Sequence, residues 1–237
     1  SRLEARWAVF FGKLTGERGD TLFPSCFYEP TNFVKYDFGW VHKGDIENMP
    51  KEYHNISQRL TYTPDFILFS PFQWRRKKVW PLGGLQNIYV EIKPKKPNKE
   101  YFEMLLDLAE DTFNEILLLA GSPAKYSKNF YRIGSIKECK SDDEVSLYND
   151  PKNAHKRPKG KLVRKWSFER KVTPGISFYP CPYCRLTSIH VDDHTELGQS
   201  SPCGCFASSL EQGSKNAQIL DIDRVTEIAN GYRFDLE

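Results

Sequence analysis

Three acids and a lysine in the first hundred residues stand out as candidates for metal-assisted hydrolysis: Glu4, Asp65, Glu91 and Lys93. Asp65 interrupts the apolar run RLTYTPDFILF, and Glu91 and Lys93 stand two residues apart in IYVEIKPK. Positions two apart in a strand point to the same side of a sheet, so this carboxylate and ammonium are expected side by side. If the strand that bears Asp65 lies next to that strand, Asp65 and Glu91 can share Mg²⁺ or Mn²⁺ together with waters and a substrate phosphate.

Each of these residues has a catalytic interpretation and an ordinary structural one. Lys93 would orient or help deprotonate an attacking water, or offset charge on the phosphate, and Glu4 would supply an outer metal ligand or hold a second ion. Alternatively, Glu91 and Lys93 form a surface ion pair worth less than about 1 kcal/mol, and Ser1 with Glu4 forms a capping box. Asp65 and Glu91 favour the catalytic interpretation because each interrupts a strand that is apolar on both sides.

The elements that must position these side chains are predicted from hydrophobic periodicity and strand composition. The predicted order is a helix within 1–20, strands within 25–36, 59–69 and 88–95, a helix over 98–113 and a strand over 115–121. The stretch up to about Gln58 is polar and irregular, and regular structure is expected to end after Gly121. This order predicts an α/β core with a mixed sheet flanked by helices.

Composition and charge limit the class of protein and its partners. In 237 residues, 39% are apolar and 14% aromatic, which excludes disorder throughout. No apolar run is long enough to span a bilayer, and a signal-peptide pattern is lacking, so a soluble cytoplasmic protein is expected. The formal charge is only +3, but basic residues are clustered in the runs 75–78, 93–99 and 152–171. Three basic clusters favour a polyanionic partner. The residues assigned to nucleic-acid contact are Arg75, Arg76, Lys95, Lys96, Lys161, Arg164 and Lys165.

The chain has six cysteines, and the last four form the motifs CPYC and CGC: Cys181, Cys184, Cys203 and Cys205. Two close pairs of thiolates match a structural tetrahedral Zn²⁺ site, which would help a small segment fold despite a thin core. Two disulfides would instead suit a secreted chain, and a redox pair would be expected beside a βαβ unit. His190 is the reserve zinc ligand, and Cys26 and Cys139 are expected to pack as small apolar side chains.

Taken in order, the segments RLEARWAVFF, FYEPTNF, YTPDFIL, YVEIKPK and EILLLAGSP resemble the PD-(D/E)xK nucleases. The resemblance covers about residues 2–123 and is strongest to small members encoded by phages and mobile elements. It implies a restriction-endonuclease-like fold and metal-dependent cleavage of phosphodiester bonds. Two features depart from that pattern: a long insertion at 70–87, and a following helix without a Q-x-x-x-Y element.

The resemblance also implies roles for individual residues. Asp65 and Glu91 match the metal-binding acids, Lys93 the lysine and Glu4 the acid of the first helix. Glu29 in YEP matches a recurrent acid to which we assign no role. The group that this chain resembles often carries a C-terminal zinc ribbon, in agreement with the cysteine spacing.

The expected organisation is a nuclease core at 1–150, a basic linker at 151–172, and a zinc-ribbon module with a terminal helix at 173–237. The expected activity is that of a divalent-metal-dependent DNA endonuclease, encoded by a phage or mobile element and located in the bacterial cytoplasm. Its partners would be DNA and a second copy or another protein, with no membrane. The alternatives are an inactive nucleic-acid-binding scaffold and a nuclease subunit of a transposase or restriction complex.

Overall fold

The structure is a computed structural model that describes residues 1–15, 26–57, 59–69, 72–74, 88–138, 166–180, 187–191 and 222–232. The helices are α1 Arg2–Thr15, α2 Lys99–Asp111 and α3 Ile222–Gly231, with short 3₁₀ helices at Lys43–Asn48 and Lys51–Tyr53. The strands are β1 Cys26–Tyr28, β2 Phe33–Tyr36, β3 Gly39–His42, β4 Thr61–Tyr62, β5 Phe66–Leu68, β6 Phe72–Trp74, β7 Ile88–Lys93, β8 Ile116–Ala120, β9 Tyr126–Glu138, β10 Trp166–Pro180 and β11 Thr187–Val191.

Most of these strands form one mixed sheet in the order β1-β5-β7-β8-β9-β10-β11-β6. The pairs β7–β8 and β11–β6 are parallel, and the other neighbours are antiparallel. A second, three-stranded sheet has the order β3-β2-β4. The predicted α/β fold with a mixed sheet and flanking helices is therefore confirmed.

One face of the main sheet is covered by α1 and α3. The first helix forms as its apolar spacing predicts, and Trp7, Phe10, Phe11 and Leu14 are fully buried. Burial of such side chains contributes about 1.5–3 kcal/mol each. The same cluster contains the alternate residues of β7, so this helix is fixed against the strand that carries the candidate site.

The opposite face of the main sheet is covered by α2 and by residues of the small sheet. The Asn98 side chain caps α2 by accepting a hydrogen bond from the Tyr101 amide at 3.0 Å. Leu105 and Leu108 are fully buried in the cluster that this helix forms with the sheet. Because side chains alternate along a strand, Glu91 points towards this face while Val90 packs on the α1 face.

The prediction that regular structure ends after Gly121 is wrong. β9 has 13 residues and pairs with both β8 and β10. Gly134 has a φ of 75° and lies so close to the Phe168 ring that a Cβ would be 2.4 Å from it. A glycine inside a strand and partners far along the chain both weaken the local period on which the prediction relied. The stretch before Gln58 likewise contains β3 and two 3₁₀ helices.

Residues from the C-terminal third of the chain belong to the same sheet. β10 pairs with β9, β11 pairs with β10, and α3 packs against α1, so the predicted terminal helix is confirmed. The predicted boundaries at 150 and 172 stay a prediction. No helix in the described part of the chain is both long and apolar enough to cross a membrane.

Candidate functional site

The structure brings Asp65, Glu91 and Lys93 together at one edge of the main sheet. β5 runs antiparallel to β7 with Phe66 opposite Val90, so the residue that precedes β5 falls beside Glu91. The two acids could share a cation only if their strands were adjacent, and β5 and β7 are adjacent. Both acids and Lys93 also lie on the sheet face that α2 covers.

The run that the sequence suggested as one strand is divided just before Asp65. Pro64 lacks an amide hydrogen and cannot continue a ladder, so β4 joins the small sheet whereas β5 joins the main sheet. Asp65 occupies the junction. Its Oδ2 accepts a hydrogen bond from the Ile92 amide at 2.6 Å, and its carbonyl accepts one from the Glu29 amide at 2.9 Å.

Burial and the neighbouring charge of Glu91 raise the pKa of Asp65 from 3.8 to about 7. The hydrogen bond from Ile92 and the charge of Lys93 oppose this change in pKa, and Glu4 reinforces it. The charges of Glu91, Lys93 and Glu4 all therefore influence the pKa of Asp65. A cation next to it would restore the charged form, because opposite charge favours ionisation.

Glu91 is almost completely enclosed, with 3% of its side chain exposed. Its Oε2 accepts a hydrogen bond from the Tyr62 hydroxyl at 2.5 Å, and its Oε1 accepts one from the Tyr101 hydroxyl. Lys93 Nζ lies 2.5 Å from the same Oε1 and 5.0 Å from the centre of the Tyr101 ring. The side-by-side prediction is confirmed, and the alternative of a surface ion pair is wrong for Glu91.

Tyr62 and Tyr101 are the site residues that sequence reasoning missed. Burial and the charge of Glu91 raise the pKa of both phenols, so both keep their protons and act as donors. One signal in the sequence points to them: a buried tyrosine hydroxyl normally has a hydrogen-bond partner. That signal does not identify the partner, which in both cases belongs to another element.

Glu4 and Glu29 lie next to the site but are held in other ways. Glu4 Oε2 is 2.7 Å from both the Ser1 amino group and the Tyr28 hydroxyl, and the Glu4 amide donates to Ser1 Oγ at 3.3 Å. The capping-box geometry is therefore present. Glu29 has a φ of 44° and bonds to Asp65 through its backbone.

A contact from α1 fixes the end of β7 at which Lys93 lies. Trp7 Nε1 donates to the Gly121 carbonyl at 3.0 Å, and the Gly121 amide donates to the Lys93 carbonyl at 2.8 Å. The fully buried indole thus connects the first helix to the loop after β8. This chain of hydrogen bonds sets the backbone position of the lysine.

The basic residues are only partly described. Lys95 and Lys96 are exposed just beyond β7, and Lys96 Nζ lies 5.8 Å from the centre of the Tyr131 ring. Outside the described residues lie Arg75, Arg76, Lys161, Arg164 and Lys165. In the sequence, the last three of these lie between Glu138 and Trp166. Glu138 and Trp166 pair with each other at the end of β9 and β10 that is farther from Lys93.

The four predicted zinc ligands also lie outside the described residues: Cys181, Cys184, Cys203 and Cys205. Pro180 and Thr187, which flank the first pair of these, are opposite each other at the ends of β10 and β11. The Phe178 amide donates a hydrogen bond to the Lys125 carbonyl in the loop between β8 and β9. The end of β10 at Pro180 therefore lies at the same edge of the sheet as Lys93. Cys26 packs as predicted against the α1 cluster, whereas Cys139 and the side chain of His190 are not described.

No group of three or more His, Cys, Asp or Glu side chains within the described ranges is arranged to hold a metal ion. Asp65 and Glu91 form a pair, which is the number of carboxylates that Mg²⁺ commonly takes from a protein.

Comparison of the chain with family models, with curated proteins and with solved structures gave no match.

Proposed function

We propose that this chain is a divalent-metal-dependent nuclease that hydrolyses phosphodiester bonds in DNA. The observation that carries the proposal is the pairing of Asp65 with Glu91 beside Lys93 at one sheet edge, where burial and the charge of Glu91 raise the pKa of Asp65 to about 7. A titratable group so perturbed by burial and a specific neighbour is a reason to infer a functional site. The resemblance of residues 2–123 to the PD-(D/E)xK nucleases supports the same conclusion.

The donor set fits Mg²⁺ or Mn²⁺. Asp65 and Glu91 would hold the ion, because both offer hard carboxylate oxygens and have excess negative charge that a cation would relieve. Among the described residues, Asp65 Oδ1 has no hydrogen-bond donor, and Glu91 Oε2 has one. When bound, such an ion supplies a water of lowered pKa and neutralises charge on the phosphate.

The remaining side chains have separate tasks in this proposal. Lys93, 34% exposed and anchored on Glu91, is placed to orient the attacking water or offset charge on the phosphate. The Tyr101 ring stabilises the Lys93 ammonium through a cation–π contact. Glu4 contributes negative charge near Asp65, and its hydrogen bonds to Ser1 and Tyr28 keep it at the end of α1.

Substitution of the two acids tests this function. Asp65→Ala and Glu91→Ala are expected to abolish Mg²⁺-dependent cleavage, a loss of at least about a thousandfold, because each removes a metal ligand. DNA binding, measured by a mobility-shift assay in EDTA, should persist. Glu103→Gln removes an exposed carboxylate from α2 and serves as the control that retains activity. Undiminished nicking by either alanine variant would contradict the proposal.

For the C-terminal part we propose a zinc ribbon in which Cys181, Cys184, Cys203 and Cys205 bind one structural Zn²⁺, with His190 as the reserve ligand. The spacing of the two pairs supports it. The position of Pro180 and Thr187 at the edge that contains Lys93 would bring the first cysteine pair near bound DNA.

Phosphate contacts would come from the exposed Lys95 and Lys96 and from five further basic residues: Arg75, Arg76, Lys161, Arg164 and Lys165. A bacterial cytoplasmic location and a phage or mobile-element origin belong to the same proposal.

One observation favours a second candidate, a nucleic-acid-binding scaffold without catalysis. Glu91 already accepts hydrogen bonds from Tyr62 and Tyr101 and pairs with Lys93, so its charge is compensated by protein groups alone. Metal titration distinguishes the candidates, because only the nuclease requires divalent-ion binding that disappears in Asp65→Asn. A nuclease that needs a partner subunit would bind the ion but cleave only when that subunit is added.

A further inference from the structure

The two oxygens of Glu91 are used unequally. Among the described residues, Oε1 receives both the Tyr101 hydroxyl and Lys93 Nζ, whereas Oε2 receives only the Tyr62 hydroxyl. A carboxylate oxygen accepts at about two lone-pair positions. Among the described residues, protein donors therefore fill Oε1 and leave one position on Oε2.

The two hydroxyls reach Glu91 from different elements. Tyr62 belongs to β4 of the small sheet, opposite Phe33, and is 9% exposed. Tyr101 belongs to the first turn of α2, where the Asn98 cap fixes the backbone. Two separate parts of the fold thus converge on a single carboxylate.

Packing alone does not account for these hydroxyls. Phenylalanine would fill nearly the same volume and would not require a polar atom to leave water, which is costly unless a partner is supplied. Both hydroxyls are instead donated to Glu91, and neither contacts Asp65 or Lys93 through a hydrogen bond in the described part of the chain. Their function is therefore to be sought in what Glu91 does.

We propose that Tyr62 and Tyr101 are positioning residues that fix the Glu91 carboxylate so that the open position on Oε2 faces a divalent cation beside Asp65. This inference rests on the proposed nuclease function. The tyrosines hold the carboxylate from both oxygens, so its plane is set before a cation arrives. Loss of either hydroxyl frees the carboxylate to rotate and removes a donor that stabilises its charge. Changes of this kind around a metal ligand typically weaken metal affinity 10–100-fold.

The test measures Mn²⁺ binding by calorimetry on the full chain without DNA, in wild type, Tyr62→Phe, Tyr101→Phe and Asp65→Asn. Tyr89→Phe is the matched control, because Tyr89 lies on the same strand as Glu91, is 8% exposed, packs against Phe33 and makes no hydrogen bond to a carboxylate of the described residues. A second readout is the Mn²⁺ concentration that gives half-maximal cleavage, together with KM for DNA. Melting temperatures verify that each variant folds.

The expected result is a Kd for Mn²⁺ about tenfold higher in Tyr62→Phe and Tyr101→Phe, with Tyr89→Phe within twofold of wild type. The half-saturating Mn²⁺ concentration should rise by the same factor, excess Mn²⁺ should restore kcat, and KM for DNA should not change. If wild type binds Mn²⁺ and cleaves but both tyrosine variants match Tyr89→Phe or bind more tightly, the positioning role is wrong and the nuclease function stands. If wild type binds no Mn²⁺, or Asp65→Asn binds it equally well, both proposals fail. Should Tyr62→Phe not fold, the half-buried Tyr101 decides the outcome.

Discussion

At the residue scale, the electrostatic state of Asp65 determines how the site behaves without metal. Its carboxylate is half-buried, accepts one backbone hydrogen bond and lies beside Glu91, so the charged form is disfavoured. Burial of an uncompensated charge is expensive. The same excess of negative charge that makes the site unfavourable when empty makes it suited to a cation.

A pH dependence of stability follows from Asp65. Its pKa rises from about 3.8 in the unfolded chain to about 7 in the fold, so between these values the native state binds more protons. The contribution of Asp65 to the stability of the metal-free protein should therefore fall as pH rises from 4 to 7 and then level off. Asp65→Asn, which keeps the acceptor for Ile92, should remove this loss. At pH 8 in EDTA it is expected to be more stable by about 1–2 kcal/mol, allowing for solvent near a half-exposed group.

Urea unfolding of both proteins at pH 4.5 and pH 8 measures the effect. The two should be nearly equal at the lower pH and differ at the higher one. If Asp65→Asn is less stable than wild type at pH 8, the fold stabilises the charged carboxylate, which contradicts the raised pKa of Asp65. Added Mg²⁺ should reverse the order by stabilising only wild type.

The acids and the lysine of the site could be found from sequence, but the tyrosines could not. Asp65 and Glu91 stand out because charged residues inside apolar strands require an explanation. Tyr62 and Tyr101 do not, since aromatic side chains belong in strands and on helix faces. Their role depends on which groups the fold brings near them, and this is decided by pairs 29 and 10 residues apart along the chain.

At the element scale, α2 is connected to both sheets through the acids on its outer surface. Arg170 of β10 contacts Glu110 at 2.5 Å, Asp107 at 3.0 Å and Glu103 at 3.2 Å. Lys35 of β2 lies 3.5 Å from Asp107. A network around one guanidinium contributes more than an isolated exposed pair. It helps fix the helix that carries Tyr101.

Removal of the Arg170 guanidinium should destabilise the protein. Arg170→Ala leaves three neighbouring carboxylates that repel one another, and we expect a loss of about 1 kcal/mol in unfolding free energy at low salt. In 1 M NaCl the loss should shrink, because screening reduces interactions between exposed charges. Lys171→Ala, an exposed neighbour on the same strand, should change stability by less than about 0.5 kcal/mol. Equal effects of the two changes would indicate that the network contributes nothing.

Helices and core strands were predictable at this scale, whereas the long strands were not. The spacing of Trp7, Phe10 and Leu14 has a strong helical period, the run 116–120 is continuously apolar, and both elements form. β9 and β10 include glycines with positive φ at Gly134 and Gly175, and irregularities in register. Such strands are stabilised by their partners across the sheet, which no local pattern reveals.

At the scale of the whole molecule, one sheet extends from β1 at one side to β6 at the other, and it includes β10 and β11, which flank the first cysteine motif in the sequence. The pairing of β9, β10 and β11 connects the proposed zinc-ribbon segment to the strands that carry the candidate site. If the proposed zinc site is present, loss of zinc is therefore expected to lower the stability of the core that carries the candidate site as well.

Cys181→Ser tests this connection. Removal of one of four thiolates should lower the zinc content measured by atomic absorption from one per chain to a small fraction, and it should lower the melting temperature. Cys26→Ser is the control, because Cys26 packs against the core and belongs to neither motif. Its zinc content should match wild type. Stoichiometric zinc in Cys181→Ser would contradict the four-cysteine site.

The measurement that tests the central claim most directly is incubation of the wild-type chain with linear, supercoiled, junction and single-stranded DNA in Mg²⁺, Mn²⁺ or EDTA, alongside Asp65→Asn. A nuclease with its metal at Asp65 and Glu91 cleaves at least one of these substrates with Mg²⁺ or Mn²⁺, and cleavage is absent in EDTA and in the variant. Cleavage that continues in EDTA, or that Asp65→Asn performs as well as wild type, would contradict the claim. A chain that binds these DNAs but cuts none, and binds no divalent ion through Asp65, would be the scaffold.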